Sequence, residues 1–217
     1  MTRQASPESE ADRPRDADRT RADILDVATQ EFATHGFSGA RVDEIAARTR
    51  TTKRMIYYYF GGKEQLYLAV LERAYAEIRA AERTVDVDHL DPVSAIRRIA
   101  EVSFDHDEAH PAFVKLVVAE NAQQGRHMTR VARLVDLNSS AIGILSGVLD
   151  RGRRAGVFRA DVDALDVHMM LSAFCFFRVA NRHTFGALFG RDLLDPATRE
   201  HYRTMVADMV AGYLQRS

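Results

Sequence analysis

The chain has 217 residues, of which 46% are hydrophobic and 28% charged, and its formal net charge is −1. A chain of this composition can bury a full core without disulfides or metals. Its one cysteine, Cys175, excludes an internal disulfide, and its apolar neighbours predict a buried thiol. Without a signal-like apolar N-terminus or an apolar run long enough to cross a bilayer, we expect a cytoplasmic protein with no membrane contact.

Residues 1–18 contain two prolines and many charges but almost no apolar side chains. This composition predicts a disordered arm. Arg3, Arg13 and Arg15 offer the arm a contact with DNA, but neighbouring acids offset their charge, and we do not favour that interpretation.

The segment that follows predicts a small unit of short helices. Ile24, Leu25, Ala28 and Phe32 share one face of the first helix, and Gly36 ends it. A tight polar turn separates the second helix from the third, and Gly61-Gly62 precedes the fourth. The predicted helices of this part cover residues 19–35, 41–49, 52–59 and 63–83.

The remainder also predicts helices only, because no run alternates apolar and polar residues with the period of a strand. Asp91-Pro92 and Asp195-Pro196 are typical helix starts, an N-cap followed by proline, and His110-Pro111 restarts the chain between them. Two long helices are expected over 127–154 and 162–188. The prediction is an all-α fold of about nine helices, divided into an arm (1–18), a helix-turn-helix unit (19–65) and a larger domain (66–217).

The window from Ile45 to Lys63 contains no Asp or Glu. Displaced counterions supply most non-specific affinity for DNA, so cations without local acids favour phosphate binding. Hydroxyl groups in the same window can reach phosphate oxygens, and a flat tyrosine ring can press on a sugar or a thymine methyl. Its cations are Arg48, Arg50, Lys53, Arg54 and Lys63, and its hydroxyls are Thr51, Thr52, Tyr57, Tyr58 and Tyr59.

On the third helix, Ile56 and Phe60 are four residues apart and are expected to face inward. The side chains then left facing outward are Lys53, Arg54, Tyr57 and Tyr58. A charge cluster alone is most often a solvated surface. Two short helices joined by a tight turn, however, form the frame of a helix-turn-helix, which favours DNA binding.

The stretch from Ala22 to Leu71 resembles the N-terminal domain of the TetR family of transcriptional regulators, and the spacing of the pattern matches throughout. The resemblance implies a dimeric, DNA-binding regulator, in the family's usual mode a repressor released by a small molecule. The matching residues are Ile24, Leu25, Ala28, Phe32, Gly36, Phe37, Asp43, Ile45, Ala46, Tyr57, Phe60, Lys63 and Glu64.

The same resemblance implies roles for residues of the window. Those at the start of the third helix would approach bases or phosphates, its tyrosines would contact the backbone or thymine methyls, and Lys63 would hold a phosphate at a helix N-terminus. Arg50 stands where the family often has glycine, and Arg41 where it often has Thr or Ser. The predicted contacts are Arg41, Thr51, Thr52, Lys53, Arg54, Met55, Tyr57, Tyr58 and Lys63.

The C-terminal part is less specific, although 110–121 and 181–190 resemble one subgroup of the family. The helix predicted over 162–188 is apolar on nearly all faces and needs cover on two sides. We therefore expect a homodimer through the last two helices, on a palindromic double-stranded operator; burial within one subunit is the alternative.

A small-molecule site is expected where polar residues interrupt apolar helices, with Arg178 favouring an anion. The alternative, which we favour, pairs Arg178 with a structural acid such as Glu120 or places it at the top of the dimer interface. The candidate ligand residues are Phe104, Phe113, Glu120, Asn121, Phe174, Phe177, Arg178 and Asn181.

Other classes of function find little support. His106 and His110 are four residues apart, but no third ligand is evident, so we expect a surface pair and no metal. No nucleophile elbow or phosphate loop is present, and we expect no catalytic residue and no cofactor. A helical adaptor that has lost DNA binding remains the alternative to a regulator, and loss of the basic window would have distinguished it.

Overall fold

The computed structural model describes residues 13–215. Within that range the fold is all-α: ten α-helices and two short 3-10 helices, with no strand and one isolated bridge between Phe158 and Gln215. No helix in this range is long and apolar enough to cross a membrane. The helices are α1 (Arg13–Gly39), α2 (Val42–Arg48), α3 (Lys53–Phe60), α4 (Lys63–Arg83), α5 (Pro92–Ala109), α6 (Pro111–Ala122), α7 (Arg133–Arg154), α8 (Ala164–Ala180), α9 (Arg182–Phe189) and α10 (Arg199–Leu214).

The chain divides into two compact units between Leu71 and Glu72. The division falls inside α4, so one continuous helix belongs to both units. We call the residues before it unit 1 and those after it unit 2. The sequence predicted a boundary after residue 65, six residues earlier. The first two turns of α4 belong to unit 1 because their Leu66, Tyr67 and Val70 are buried.

Unit 1 is organised around the predicted apolar face of α1, whose Ile24, Ala28 and Phe32 are fully buried. The Phe32 ring packs against Tyr67 with the ring centroids 4.8 Å apart. Gly36 interrupts the helix as predicted, since its φ of 65° lies in the left-handed region that favours glycine. The helix begins at Arg13, however, so the disorder predicted for residues 13–18 is wrong; residues 1–12 lie outside the described range.

Unit 2 has a core in which α5 packs against α7, α8 and α10. Asp91 caps α5 as predicted, because its carboxylate accepts hydrogen bonds of 3.0 Å from the backbone N–H groups of Val93 and Ser94. Cys175 is buried as expected. Desolvation by that burial raises the pKa of its thiol, which makes it unreactive.

Two predicted helices differ from the structure. The helix expected over 127–154 begins at Arg133, because His127 is held by Glu120 and a 3-10 helix, Met128–Arg130, follows it. The helix expected over 162–188 is two helices, α8 and α9, separated at Asn181. Four polar residues, 181–184, follow Ala180 directly, and this interruption of the apolar pattern was the available signal for the break.

Candidate nucleic-acid interface

The buried side of α2 and α3 fixes which side chains of unit 1 face solvent. Ile45 and Ile56 are fully buried, and Val42, Ala46 and Phe60 nearly so. The inward orientation predicted for Ile56 and Phe60 is confirmed. The opposite face of α3 is therefore exposed along its whole length, as a recognition helix requires.

The turn between α2 and α3 is closed by the backbone and by one side chain. The Thr51 N–H donates to the Ala46 carbonyl at 3.1 Å. Thr52 is the N-cap of α3: its hydroxyl oxygen accepts a hydrogen bond of 3.2 Å from the Met55 N–H. The Thr52 O–H remains able to donate outward, which suits a phosphate oxygen.

Arg50 occupies the turn in a left-handed conformation, with φ of 53°. A residue with a side chain is disfavoured in that region, which glycine adopts freely, so the backbone at Arg50 is strained. The Arg50 side chain is exposed, so the turn presents a cation where glycine would present none.

The exposed face of α3 is both cationic and aromatic. Lys53, Arg54 and Met55 are exposed in its first turn. Tyr57 is 41% and Tyr58 78% exposed. Tyrosine is enriched at contact surfaces relative to the rest of a protein surface, so these two exposed rings favour a contact role.

The basic window, Ile45 to Lys63, contains no acid, but acids from outside it pair with two of its cations. The expectation that its charges are uncompensated is therefore wrong in part. Lys53 Nζ lies 3.2 Å from the Asp43 carboxylate. Arg48 lies 3.7 Å from Glu31. Within the described range Arg50 and Arg54 have no carboxylate at ion-pair distance, and they are the cations most available to phosphate.

Lys63 lies at the first position of α4 and is held in place by unit 1. Its Nζ donates to the Ser38 carbonyl at 3.2 Å and lies 5.1 Å from the centre of the Phe37 ring. Partial burial lowers the pKa of Lys63, and the nearby Glu31 opposes that effect. The ammonium is thereby fixed at a helix N-terminus, where backbone N–H groups also attract anions.

Glu31 is the residue of this site that the sequence analysis missed. It is buried, and its carboxylate accepts a hydrogen bond of 3.1 Å from the Arg41 N–H. Arg41 is the N-cap of α2 and gives it no side-chain cap, so Glu31 supplies one from α1. An acid on the buried face of α1, beside Phe32, was the available signal.

Comparison with known proteins bears on this geometry. Residues 24–70 match the family described as "Bacterial regulatory proteins, tetR family", and residues 92–210 match "Tetracyclin repressor-like, C-terminal domain". The chain is 35% identical over 204 residues to the HTH-type transcriptional repressor NicS of Pseudomonas putida, which covers 94% of this chain and 96% of that protein.

The chain belongs to the TetR family.

Solved structures show the same fold. A transcriptional regulator of Streptomyces coelicolor is 29% identical, with a TM-score of 0.69 over 91% of this chain and 99% of that one. The ketosteroid transcriptional regulator KstR2 of Mycobacterium tuberculosis has a TM-score of 0.68 at 22% identity, over 91% of this chain and 95% of that one. This TetR-family protein is therefore a DNA-binding transcriptional regulator and not an enzyme.

The candidate ligand residues of this TetR-family regulator do not form one group. Phe113 and Glu120 lie with the ring of Tyr75 and with His127. Phe104, Phe174 and Arg178 gather instead around Tyr202. Asn121 is exposed, Phe177 is 46% exposed, and Asn181 is the C-cap of α8.

Arg178 is held by protein groups. It is buried, and its guanidinium donates to the Glu108 carboxylate at 2.9 Å and to the Leu193 carbonyl. The guanidinium carbon also lies 3.9 Å from the centre of the Phe104 ring. The structural pairing that we favoured exists, but the partner is Glu108, and the choice of Glu120 was wrong.

His106 is also not where the sequence suggested. It is 5% exposed, so the expected surface pair with His110 is wrong. The two rings are stacked, with centroids 4.2 Å apart and planes 20° apart. No group of three metal-binding side chains was found within residues 13–215.

Proposed function

We propose that α3 of this regulator enters the major groove of an operator and that the turn before it contacts the phosphates. Thr52, Lys53, Arg54 and Met55 lead into the groove, while Tyr57 and Tyr58 contact sugar or thymine methyls. Arg41, Thr51 and Lys63 contact backbone phosphates from the flanks. The protein acts where the chromosome lies, in the cytoplasm.

The observation that carries this proposal is the two-faced character of the α2–α3 pair. Its underside is apolar and buried, and its outer face presents two exposed tyrosines and two guanidinium groups that no carboxylate within residues 13–215 pairs. A structural role explains the buried side only. The outer face has the chemistry that phosphates and base edges require.

We propose further that the regulator is a homodimer through α8 and α10. In the single chain α8 leaves Leu165 and Met169 62% and 64% exposed, and α10 leaves Met205, Met209 and Tyr213 partly exposed. These side chains form apolar stripes that need cover. A two-fold dimer covers them with a second copy and predicts a palindromic operator, with half-sites about 34–36 Å apart.

We also propose that a small molecule bound in unit 2 releases the operator, so that the protein is a repressor. NicS, its relative over nearly the full length, is named a repressor. The helix α4 begins at Lys63 in unit 1 and ends in unit 2, so it can carry a change at a ligand to a phosphate contact. The coupling needs only about 1–3 kcal/mol.

Selection of bound duplexes from random DNA tests the DNA-binding part. We expect one inverted repeat to emerge, bound at least about 1,000-fold more tightly than unrelated DNA at the same salt. Enrichment of no sequence, or of a single unrepeated half-site, would contradict the proposal. The selected operator then serves in every binding measurement below.

The effector part has a separate test. Binding linkage is reciprocal, so saturating operator must weaken an effector's affinity by the same factor by which the effector weakens the operator's. An effector whose affinity is unaffected by operator DNA would contradict release by this route, while leaving the DNA-binding proposal intact.

A further inference from the structure

Unit 2 contains a buried group of charged and polar side chains that the DNA-binding site does not use. Arg79 and Glu82 lie on α4, and His106 and Asp107 on α5; their side chains are 91% buried or more. The Arg79 guanidinium donates to the Glu82 carboxylate at 2.6 Å. We call these four residues the polar cluster.

Several atoms of the polar cluster are buried without a hydrogen bond. In the described part of the chain, Arg79 Nε, both ring nitrogens of His106 and Asp107 Oδ1 have no hydrogen-bond partner. His106 Nδ1 and Asp107 Oδ1 are 3.5 Å apart, which allows charge attraction but not a hydrogen bond. Native cores satisfy nearly all buried polar atoms, so such a concentration points to a bound group that satisfies them.

The surroundings of the polar cluster are aromatic. The His106 ring stacks on His110 and meets the edge of Phe113 with centroids 5.6 Å apart. Tyr75 packs edge-on against Phe113, and burial raises the pKa of its hydroxyl. Flat walls of this kind accept a planar molecule more readily than a flexible chain.

A small cavity adjoins the cluster. It lies between α4, α5, α7 and α8, and its polar lining is Glu82, Ser103 and His168. Ser103 precedes His106 and Asp107 by about one helical turn, so cavity and cluster share α5 and Glu82. The cavity has room for one water molecule at most, so any larger ligand must move the helices that line it, α4 among them.

We infer that the effector binds at the polar cluster, and that it is a compact planar molecule that both donates and accepts hydrogen bonds. This inference rests on the proposed function, that a small molecule regulates operator binding. The ligand donates to Asp107 Oδ1 and accepts from Arg79 Nε–H, while His106 offers one donor and one acceptor. The aromatic rings around it cover its faces.

The cluster disfavours a long apolar ligand. An acyl chain or a steroid nucleus placed here would leave the same polar atoms buried and unsatisfied. A solved structure of similar fold, FadR of Bacillus subtilis, holds stearoyl-CoA. The polar cluster of the present chain does not suit a ligand of that class.

The position of the cluster also explains how binding is transmitted. Arg79 and Glu82 are sixteen and nineteen residues after Lys63 on the same helix, α4. A ligand that draws Arg79 away from its present geometry moves the far end of the helix whose near end holds the phosphate contact.

Thermal unfolding with defined probes tests the ligand class. The compact probes are 4-hydroxybenzamide, 4-aminobenzamide and 4-hydroxybenzoate; the apolar ones are palmitate and progesterone. We expect at least one compact probe to raise Tm by about 5 °C or more at 100-fold its Kd, and neither apolar probe to do so. Stabilisation by an apolar probe, or by no compact probe, would overturn the inference.

Variants test the site. Asp107→Leu should abolish the shift given by the compact probe, and the exposed, chemically matched Asp136→Leu should leave it unchanged. Because Asp107 is unsatisfied in the free protein, Asp107→Leu should also match or exceed the wild-type Tm without probe. A probe shift that survives in Asp107→Leu, or a fall in its own Tm of more than about 4 °C, would overturn the inference.

Operator affinity, measured without probe, distinguishes failure of the proposed function from failure of the effector inference. If the wild-type chain does not bind its selected duplex, the proposed function fails whatever the probes do. If wild type and Asp107→Leu bind it equally and the probe results are negative, only the effector inference fails.

Discussion

Single residues of the DNA-facing surface have separable roles, because the structure divides them into those held by protein partners and those that are free. Lys63 belongs to the first kind and Arg50 to the second. The distinction matters for mutagenesis, since a held residue contributes to folding as well as to binding.

Lys63→Ala should weaken binding to all duplexes and reduce the slope of log K against log salt by about 1, because one phosphate contact and its released counterion are lost. Fluorescence anisotropy over a salt series measures this slope. Lys115→Ala, which removes an exposed lysine of α6, is the matched control and should leave it unchanged. An unaltered slope in Lys63→Ala would remove this residue from the phosphate contacts.

Arg50 allows strain to be separated from charge. Arg50→Gly and Arg50→Ala both remove the cation, but only glycine relieves the left-handed backbone. The glycine variant should be more stable than the alanine variant by about 0.5–1 kcal/mol, after the entropy that glycine gains in the unfolded chain. Both should lose operator affinity equally. Denaturant unfolding compares their stability, and equal values would show that the turn is unstrained.

Among the helices of unit 1, α2 is held to α1 by one acid, Glu31. Glu31 receives the Arg41 N–H at the start of α2 and lies near Arg48 at its end, so both ends of a seven-residue helix depend on one carboxylate. A helix this short has little stability of its own. Its position relative to α1 therefore depends on this contact.

Glu31→Ala should destabilise unit 1 by about 1–3 kcal/mol, because it leaves the Arg41 N–H without its partner. Glu31→Gln retains an acceptor oxygen and should cost less. Hydrogen exchange of the α2 amides measures the effect directly, with Glu44→Ala, an exposed acid of α2, as control. Protection of α2 that is equal in Glu31→Ala and wild type would show that the cap is dispensable.

For the whole molecule, we propose that the exposed apolar stripes of α8 and α10 form the dimer interface. The break at Asn181 limits α8 to the segment that carries Leu165 and Met169, and α10 supplies the second stripe. Two such stripes on one unit are more than a soluble monomer usually exposes.

Met169→Asp should convert a dimer into a monomer, because it places a charge at the centre of the proposed interface. Val118→Asp makes the same change at an exposed valine of α6 and should leave the dimer intact. Sedimentation equilibrium measures the mass of each. A dimeric Met169→Asp variant, or a monomeric wild type, would contradict an interface through α8.

The sequence by itself determined the all-α fold, the two-faced α3 and the family, because these depend on local spacing. Periodicity identified Ile56 and Phe60 as buried. Asp91 before a proline predicted a helix cap, and Gly36 predicted the end of the first regular helix. Each of these features is decided by residues within one or two helical turns, where sequence distance and spatial distance agree.

Only the tertiary structure decided which charges meet. Glu31 and Arg48 are 17 residues apart, and Arg178 and Glu108 are 70 apart. No local pattern predicts such pairs, since they arise when separate helices pack. For the same reason the polar cluster of α4 and α5 was invisible in the sequence: burial leaves its atoms unsatisfied, and burial follows from the packing of helices that are distant in the chain.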